Sequence, residues 1–173
     1  HRRFGKTVCM INHLIKSALT CKEKNPRFAY LAPTFKQAKS IAWDYMKQFT
    51  DKIPNTKFNE TELRVDLPNG ARITLLGSDS PDGLRGIYLD GCVIDEYANV
   101  NSRLFPEVIR PALSDRKGYC VFIGTPAGMN NNFYELYQHA NGADDWFNYK
   151  AKASDTKIVD EDELVKAKEV MGE

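Results

Sequence analysis

Two short stretches carry residues whose types and spacing suit phosphate chemistry. Near the start, Gly5-Lys6-Thr7 leads into Val8, Ile11, Leu14, Ile15 and Ala18, which recur at helical spacing. Gly-Lys-Thr at the head of a helix closes the phosphate-loop pattern G-x-x-x-x-G-K-[ST]. The first glycine of that pattern would fall one residue before His1. In this reading the free amides and dipole of the helix N-terminus face the phosphates. Lys6 reaches the β- and γ-phosphates, the Thr7 hydroxyl ligates Mg²⁺, and Gly5 and Val8 complete the nucleotide-binding set. A chance tripeptide at a helix start is the competing reading, and the three residues alone do not separate the two.

The second stretch is "GCVIDEYA". Cys92-Val93-Ile94 reads as an apolar strand that delivers Asp95 and Glu96 at its C-terminal end, the edge where open α/β sheets collect ligands. Asp95 can hold Mg²⁺ through its water shell. Glu96 can orient a water and take its proton during attack on a γ-phosphate. Two surface acids after a strand are common in any protein, but together with Gly5-Lys6-Thr7 the pair points to ATP hydrolysis. Two further residues join this set. Thr125, in "FIGTPAG", ends a strand where it can sense the γ-phosphate, although Gly-Thr-Pro is also ordinary turn chemistry. Arg85, flanked by glycines in "GLRG", has the chemistry of an arginine finger, and equally that of a solvated loop residue.

These residues need a scaffold that brings distant segments to one edge. A helix is expected from about Lys6 to Cys21, then a buried strand in "RFAYLAP" and a helix capped by Thr34. Leu63, Val65 and Leu67 alternate up to Pro68-Asn69-Gly70, and Ile73 and Leu75 resume beyond it, the signature of a hairpin. "GYCVFIG" reads as a buried strand and "NSRLFPEVIRPAL" as a helix disturbed by two prolines. "NNNFYELYQHA" reads as a helix after an Asn-rich cap, "WFNYKAKA" as a strand and "DEDELVKAKEVM" as a further helix. Strands alternating with helices predict an α/β fold with a mostly parallel central sheet flanked by helices.

Composition narrows the function classes. The chain has 173 residues, 42% of them hydrophobic, enough for a domain with a sizeable core. Twenty-four basic residues against 23 acidic ones give a net charge of +1, which argues against a strongly basic nucleic-acid coat. A local basic face at Lys36, Lys39, Lys47 and Lys52 remains open, as does the alternative of a solvated helix surface. The four cysteines are scattered without a C-x-x-C pair, so a reduced compartment is expected. No apolar run is long enough for a bilayer, no secretory signal is read, and no membrane partner is expected. The start at His1, inside a possible loop, is read as that of a fragment.

With these residues in place, the chain resembles the large terminase subunit of tailed bacteriophages. The resemblance rests on "RRFGKT", "YLAPTFKQAK", "SPDGLRGIYLDGCVIDEYA", "FPEVIRPALSDRKGYCVFIGTPAG", "NNFYELYQHA" and "DDWFNYKAKASDT", all in the family's order. It implies a P-loop NTPase of the additional-strand-conserved-glutamate type, spanning residues 1–155. Residues 156–173 would begin the linker toward a nuclease domain absent from this chain, so DNA cleavage is not expected. The resemblance assigns Arg2, Lys6 and Thr7 to the phosphate loop, Asp95 and Glu96 to metal and water, Thr125 to coupling, and Arg85 to action in trans. It implies ATP and Mg²⁺ as cofactors. The implied partners are double-stranded DNA, the portal protein, the small terminase subunit and further copies of the chain in a ring, in the host-cell cytoplasm at the procapsid portal. The family's first strand and adenine-contacting segment would precede His1. A related helicase-like ATPase, or a module that binds nucleotide only to control assembly, are the other readings.

Overall fold

The computed structural model describes residues 4–79 and 81–152. The chain divides into two compact units. One comprises Lys6–Gly124; the other comprises His1–Gly5 with Thr125–Glu173.

The first unit is built on a six-stranded sheet. Its strands are β1 (Arg27–Ala32), β2 (Lys57–Asn59), β3 (Arg64–Asp66), β4 (Arg72–Gly77), β5 (Gly91–Ile94) and β6 (Tyr119–Phe122), in the order β2-β3-β4-β1-β5-β6. β1 pairs in parallel with β4 and β5, and β5 in parallel with β6. The β2-β3-β4 side is antiparallel, so the sheet is mixed. The hairpin closes at Pro68-Asn69-Gly70 as expected, with the Leu67 amide donating to the Ala71 carbonyl at 2.8 Å. β2 is not among the expected strands. It is three residues long, and its exposed Lys57 and Phe58 give no alternation to read.

Alternation along β1 divides the core between two faces. Phe28, Tyr30 and Ala32 pack with Ile11, Leu14, Ile15 and Ala18 of helix α1 (Lys6–Thr20), and with Ala42, Trp43 and Met46. Those last residues belong to a helical run in which a π-helical turn, Lys39–Trp43, joins α2 (Phe35–Ala38) to α3 (Asp44–Thr50). The run starts as the sequence suggests, with a reciprocal capping box between Thr34 and Gln37. It passes so close to the end of β4 that a Cβ on Gly77 would lie 2.3 Å from the Phe35 amide nitrogen, which leaves no room for a side chain there.

The other flank carries the segment with the two prolines. A π-helical turn, Phe105–Ile109, precedes α4 (Arg110–Ser114). Each proline removes an amide donor, and the helix is irregular where the ladder is interrupted. Phe122 on β6 meets Tyr97 and Phe105 edge to face, with ring centroids 4.7 and 4.8 Å away. β6 is half-buried rather than buried, because it lies at an edge of the described sheet.

In the second unit, α5 (Asn132–Ala140) begins as expected. The Asn131 side chain accepts from the amides of Phe133 and Tyr134. The strand expected in "WFNYKAKA" is absent over residues 146–152. Phe147 and Tyr149 are 88% and 72% exposed there; alternation alone makes no strand where no neighbouring strand supplies hydrogen bonds. The helix read in "DEDELVKAKEVM" and the linker over 156–173 lie outside the described residues. Among the described residues no helix is long and apolar enough to cross a membrane.

Candidate active site

The site grows from the adjacent ends of α1, β1 and β5. Gly5 has φ of +77°, a left-handed conformation that glycine takes without strain, and the chain enters α1 directly after it. A Cβ at Gly5 would meet nothing within 4 Å, so the demand there is conformational rather than one of space. The first turn of α1 then holds Lys6, Thr7 and Val8, with amide groups that have no partners inside the helix.

β5 runs beside β1 and carries the chain to Asp95, whose amide donates to the Leu31 carbonyl at 2.8 Å and so prolongs the ladder by one residue. Asp95 is 2% exposed. A buried carboxylate has to be hydrogen-bonded, and this one accepts three bonds. Thr7 Oγ1 donates to Oδ2 at 2.8 Å, the Tyr30 hydroxyl donates to the same Oδ2 at 2.5 Å, and the Glu96 amide donates to Oδ1 at 2.8 Å. Burial first, and then the Asp95 charge, push the Tyr30 phenol far above its usual range. The phenol therefore remains a donor.

Glu96 departs from the strand with φ +48° and ψ +45°. A side-chain-bearing residue in left-handed backbone costs about 1–3 kcal/mol and is held there by its surroundings, a strain that clusters at functional sites. Here the bend turns the chain at the edge where Asp95 sits. Glu96→Gly is accordingly expected to stabilise the first unit by about 1 kcal/mol, read as a higher denaturant midpoint with unchanged m-value. An unchanged or lowered midpoint would show that the bend stores no strain.

The donor set suits a hard cation. Thr7 and Asp95 offer oxygens only, and Mg²⁺ is typically held by one or two carboxylates plus waters and substrate phosphates. Among the described residues no group of three or more His, Cys, Asp or Glu side chains is placed to hold a metal ion. The oxygens of Thr7 and Asp95, at the head of a helix, fit that kind of coordination.

The structure brings Thr7, Asp95 and Glu96 together and places Lys6 and Val8 in the same turn as Thr7. Arg2 lies outside the described residues. Thr125 begins the longer segment of the second unit, two residues after Ile123, whose amide donates to the Ile94 carbonyl. Among the described residues Arg85 pairs with two carboxylates: its Nε lies 2.9 Å from Asp82 Oδ1 and one terminal nitrogen lies 3.2 Å from Glu107 Oε2. Arg103 also grips Glu107, at 2.8 Å. The Arg85 hydrogen bond holds the Asp82 carboxyl below its ordinary range, and Arg103 does the same to Glu107. Of the four lysines proposed as a basic face, Lys47 is engaged by Asp44 and Glu60 and lies 5.4 Å over the Trp43 ring. Lys36, Lys39 and Lys52 are exposed.

Tyr30 escaped the sequence reading. The available signal was a tyrosine inside the otherwise apolar run "FAYLA", because a buried phenol needs a partner for its hydroxyl.

Comparison with known proteins identifies the family. The family described as terminase large subunit, T4likevirus-type, N-terminal, matches residues 2–171. A large terminase subunit from Thermus phage G20c is 30% identical over an alignment covering 62% of this chain and 26% of that protein. The chain thus spans about a quarter of the length of such relatives. The large terminase ATPase domain of Thermus phage P74-26 superposes with a TM-score of 0.66 at 23% identity, covering 89% of this chain and 65% of that one. The large terminase of a thermophilic bacteriophage, solved in complex with ADP, reaches a TM-score of 0.78 at 18% identity, over 96% of this chain and 42% of that one. At these identities the two structures establish a shared α/β fold with helices flanking a mixed sheet.

Proposed function

The chain belongs to the T4likevirus-type terminase large subunits, as part of their N-terminal region, and we propose that it hydrolyses ATP to drive viral double-stranded DNA into a procapsid. The observation that carries this reading is the bond from Thr7 Oγ1 to Asp95 Oδ2, which joins the head of α1 to the end of β5 with Glu96 next in the chain. The ADP complex of the thermophilic bacteriophage's large terminase gives that relative an adenine nucleotide ligand and adds weight to the assignment.

In the proposed mechanism the first-turn amides of α1, Gly5 and Val8 cradle the phosphates. Lys6 sets a fixed positive charge against the β- and γ-phosphates, and Arg2 adds to it. Mg²⁺, when bound, would neutralise charge that builds on the phosphate oxygens. Thr7 and Asp95 are the residues that would hold it. Glu96 orients a water and takes its proton as the water oxygen attacks the γ-phosphorus and the bond to the β,γ-bridging oxygen breaks. Thr125 passes the state of the γ-phosphate to the rest of the motor, and Arg85 completes the site of a neighbouring copy. Double-stranded DNA, the portal protein and the small terminase subunit are the partners of a ring working in the host-cell cytoplasm at the portal. DNA cleavage is not assigned to this chain.

Lys6→Ala tests the phosphate loop. Removing one charge-assisted contact, at about 1.5–3 kcal/mol, should weaken ATP binding roughly 10–100-fold and reduce turnover with it. Titration with a fluorescent ATP analogue, alongside phosphate release by the full-length chain, reads both. Near wild-type affinity would remove Lys6 from the site. Tight binding by the wild type without turnover would favour the assembly-module reading instead.

A further inference from the structure

Tyr30 has no role in the chemistry described so far, yet its hydroxyl makes the shortest of the three bonds to Asp95. It is fully buried, in the middle of β1 and 65 residues from its acceptor. An apolar residue of similar shape would fill the same space, so packing alone leaves the hydroxyl unexplained.

We propose that Tyr30 is a positioning residue that sets the cation selectivity of the nucleotide site, by closing one oxygen of Asp95 to direct metal contact. The inference rests on the nucleotide-site reading above. A carboxylate offers about four lone-pair sites, two on each oxygen. Thr7 and Tyr30 occupy both sites of Oδ2, and the Glu96 amide takes one of Oδ1. One site on Oδ1 is left. Donors from α1, β1 and the bend after β5 also hold the carboxylate plane against rotation. Asp95 can therefore accept a hydrogen bond from a metal-bound water or touch a cation through one oxygen, but it cannot grip a cation with both.

Cations differ in what they ask of such a group. Ca²⁺ takes six to eight oxygens and accepts bidentate carboxylates, whereas Mg²⁺ is octahedral, sheds water reluctantly and keeps several waters when bound. A carboxylate restricted to one free site suits Mg²⁺ and handicaps Ca²⁺. Taking away the Tyr30 hydroxyl reopens a site on Oδ2 beside the free one on Oδ1, and two-oxygen ligation becomes possible.

The test compares nucleotide binding with each cation in the full-length chain. Affinity for a fluorescent ATP analogue is measured in EDTA, in Mg²⁺ and in Ca²⁺, for the wild type and for Tyr30→Phe, with thermal melting to verify folding. For the wild type, the gain in affinity from Mg²⁺ should exceed that from Ca²⁺. Tyr30→Phe should bring the ratio of the two gains down by about ten-fold, the size of one hydrogen bond to a charged group. Tyr30→Leu lacks the same hydroxyl but packs differently, and should move the ratio in the same direction. In an Asp95→Asn background Tyr30→Phe should leave the ratio unmoved, because Tyr30 acts through that carboxylate. An unchanged ratio in folded Tyr30→Phe and Tyr30→Leu overturns the inference while leaving the nucleotide site standing. A shift that persists in the Asp95→Asn background overturns it equally. A wild type whose nucleotide affinity ignores both cations sinks the nucleotide-site reading itself.

Discussion

Glu96→Gln will bind Mg·ATP and fail to turn it over, with hydrolysis falling roughly 10²–10⁴-fold, the usual contribution of a positioned general base. The amide keeps the size and much of the hydrogen-bonding capacity of the carboxylate but cannot take the proton of the attacking water. The fold should not respond, because glutamine meets the same left-handed backbone that glutamate occupies at φ +48°. The hydroxyl-to-carboxylate contact of Thr7 with Asp95 is also untouched, and the Glu96 contribution to it is a backbone amide that survives the substitution. Asp95→Asn is the opposite case. It removes the charge that accepts three hydrogen bonds and should weaken binding only when metal is present. Single-turnover phosphate release and analogue binding, run on both variants, separate the two roles. Equal loss of binding in both would contradict the division of labour between these neighbouring acids.

The parts of this site that were legible in the sequence are those whose chemistry is local. Gly5, Lys6 and Thr7 sit at the head of an amphipathic helix, and Asp95 and Glu96 follow the apolar strand residues Cys92-Val93-Ile94, so local pattern suffices to put them at the ends of those elements. The capping box at Thr34 and the turn at Pro68-Asn69-Gly70 are likewise set by neighbours in the chain. What escaped depends on contacts far apart in sequence. Tyr30 reads as one more strand residue until the fold sets its hydroxyl against Asp95. The alternation of "WFNYKAKA" carries the right period, but a strand exists only where a neighbour pairs with it. The three residues of β2 pair with β3 through a register that their own side chains do not announce. The π-helical turns at Lys39–Trp43 and Phe105–Ile109 likewise follow from how the segments pack, and only the second holds a proline, Pro106, to signal it.

Arg85 is where the sequence left two readings level, and its surface ion pairs with Asp82 and Glu107 are compatible with both. A finger acting across an interface should raise turnover roughly 10³–10⁵-fold when the neighbouring copy supplies it. In the isolated chain Arg85 pairs with Asp82 and Glu107 on the surface, more than half exposed. Exposed pairs of this kind contribute about 0–1 kcal/mol each, so exchanging them for a phosphate is a small obstacle beside the gain. The chain alone should therefore hydrolyse ATP slowly, and activity per subunit should climb with concentration or on assembly at a portal. Arg85→Ala should bind nucleotide normally and lose only the assembled activity. Because the pairs are weak, Glu107→Gln should shift the concentration dependence by a few-fold at most. Mixing then fixes the direction of action. Arg85→Ala subunits keep Glu96, and Glu96→Gln subunits keep Arg85. If the arginine works in trans, interfaces where a Glu96→Gln subunit presents its Arg85 to an Arg85→Ala neighbour are complete, and the mixture should regain part of the activity that neither variant has alone. Mixed assemblies that stay inactive would place Arg85 within its own subunit's site or leave it as the loop residue that its ion pairs with Asp82 and Glu107 also describe.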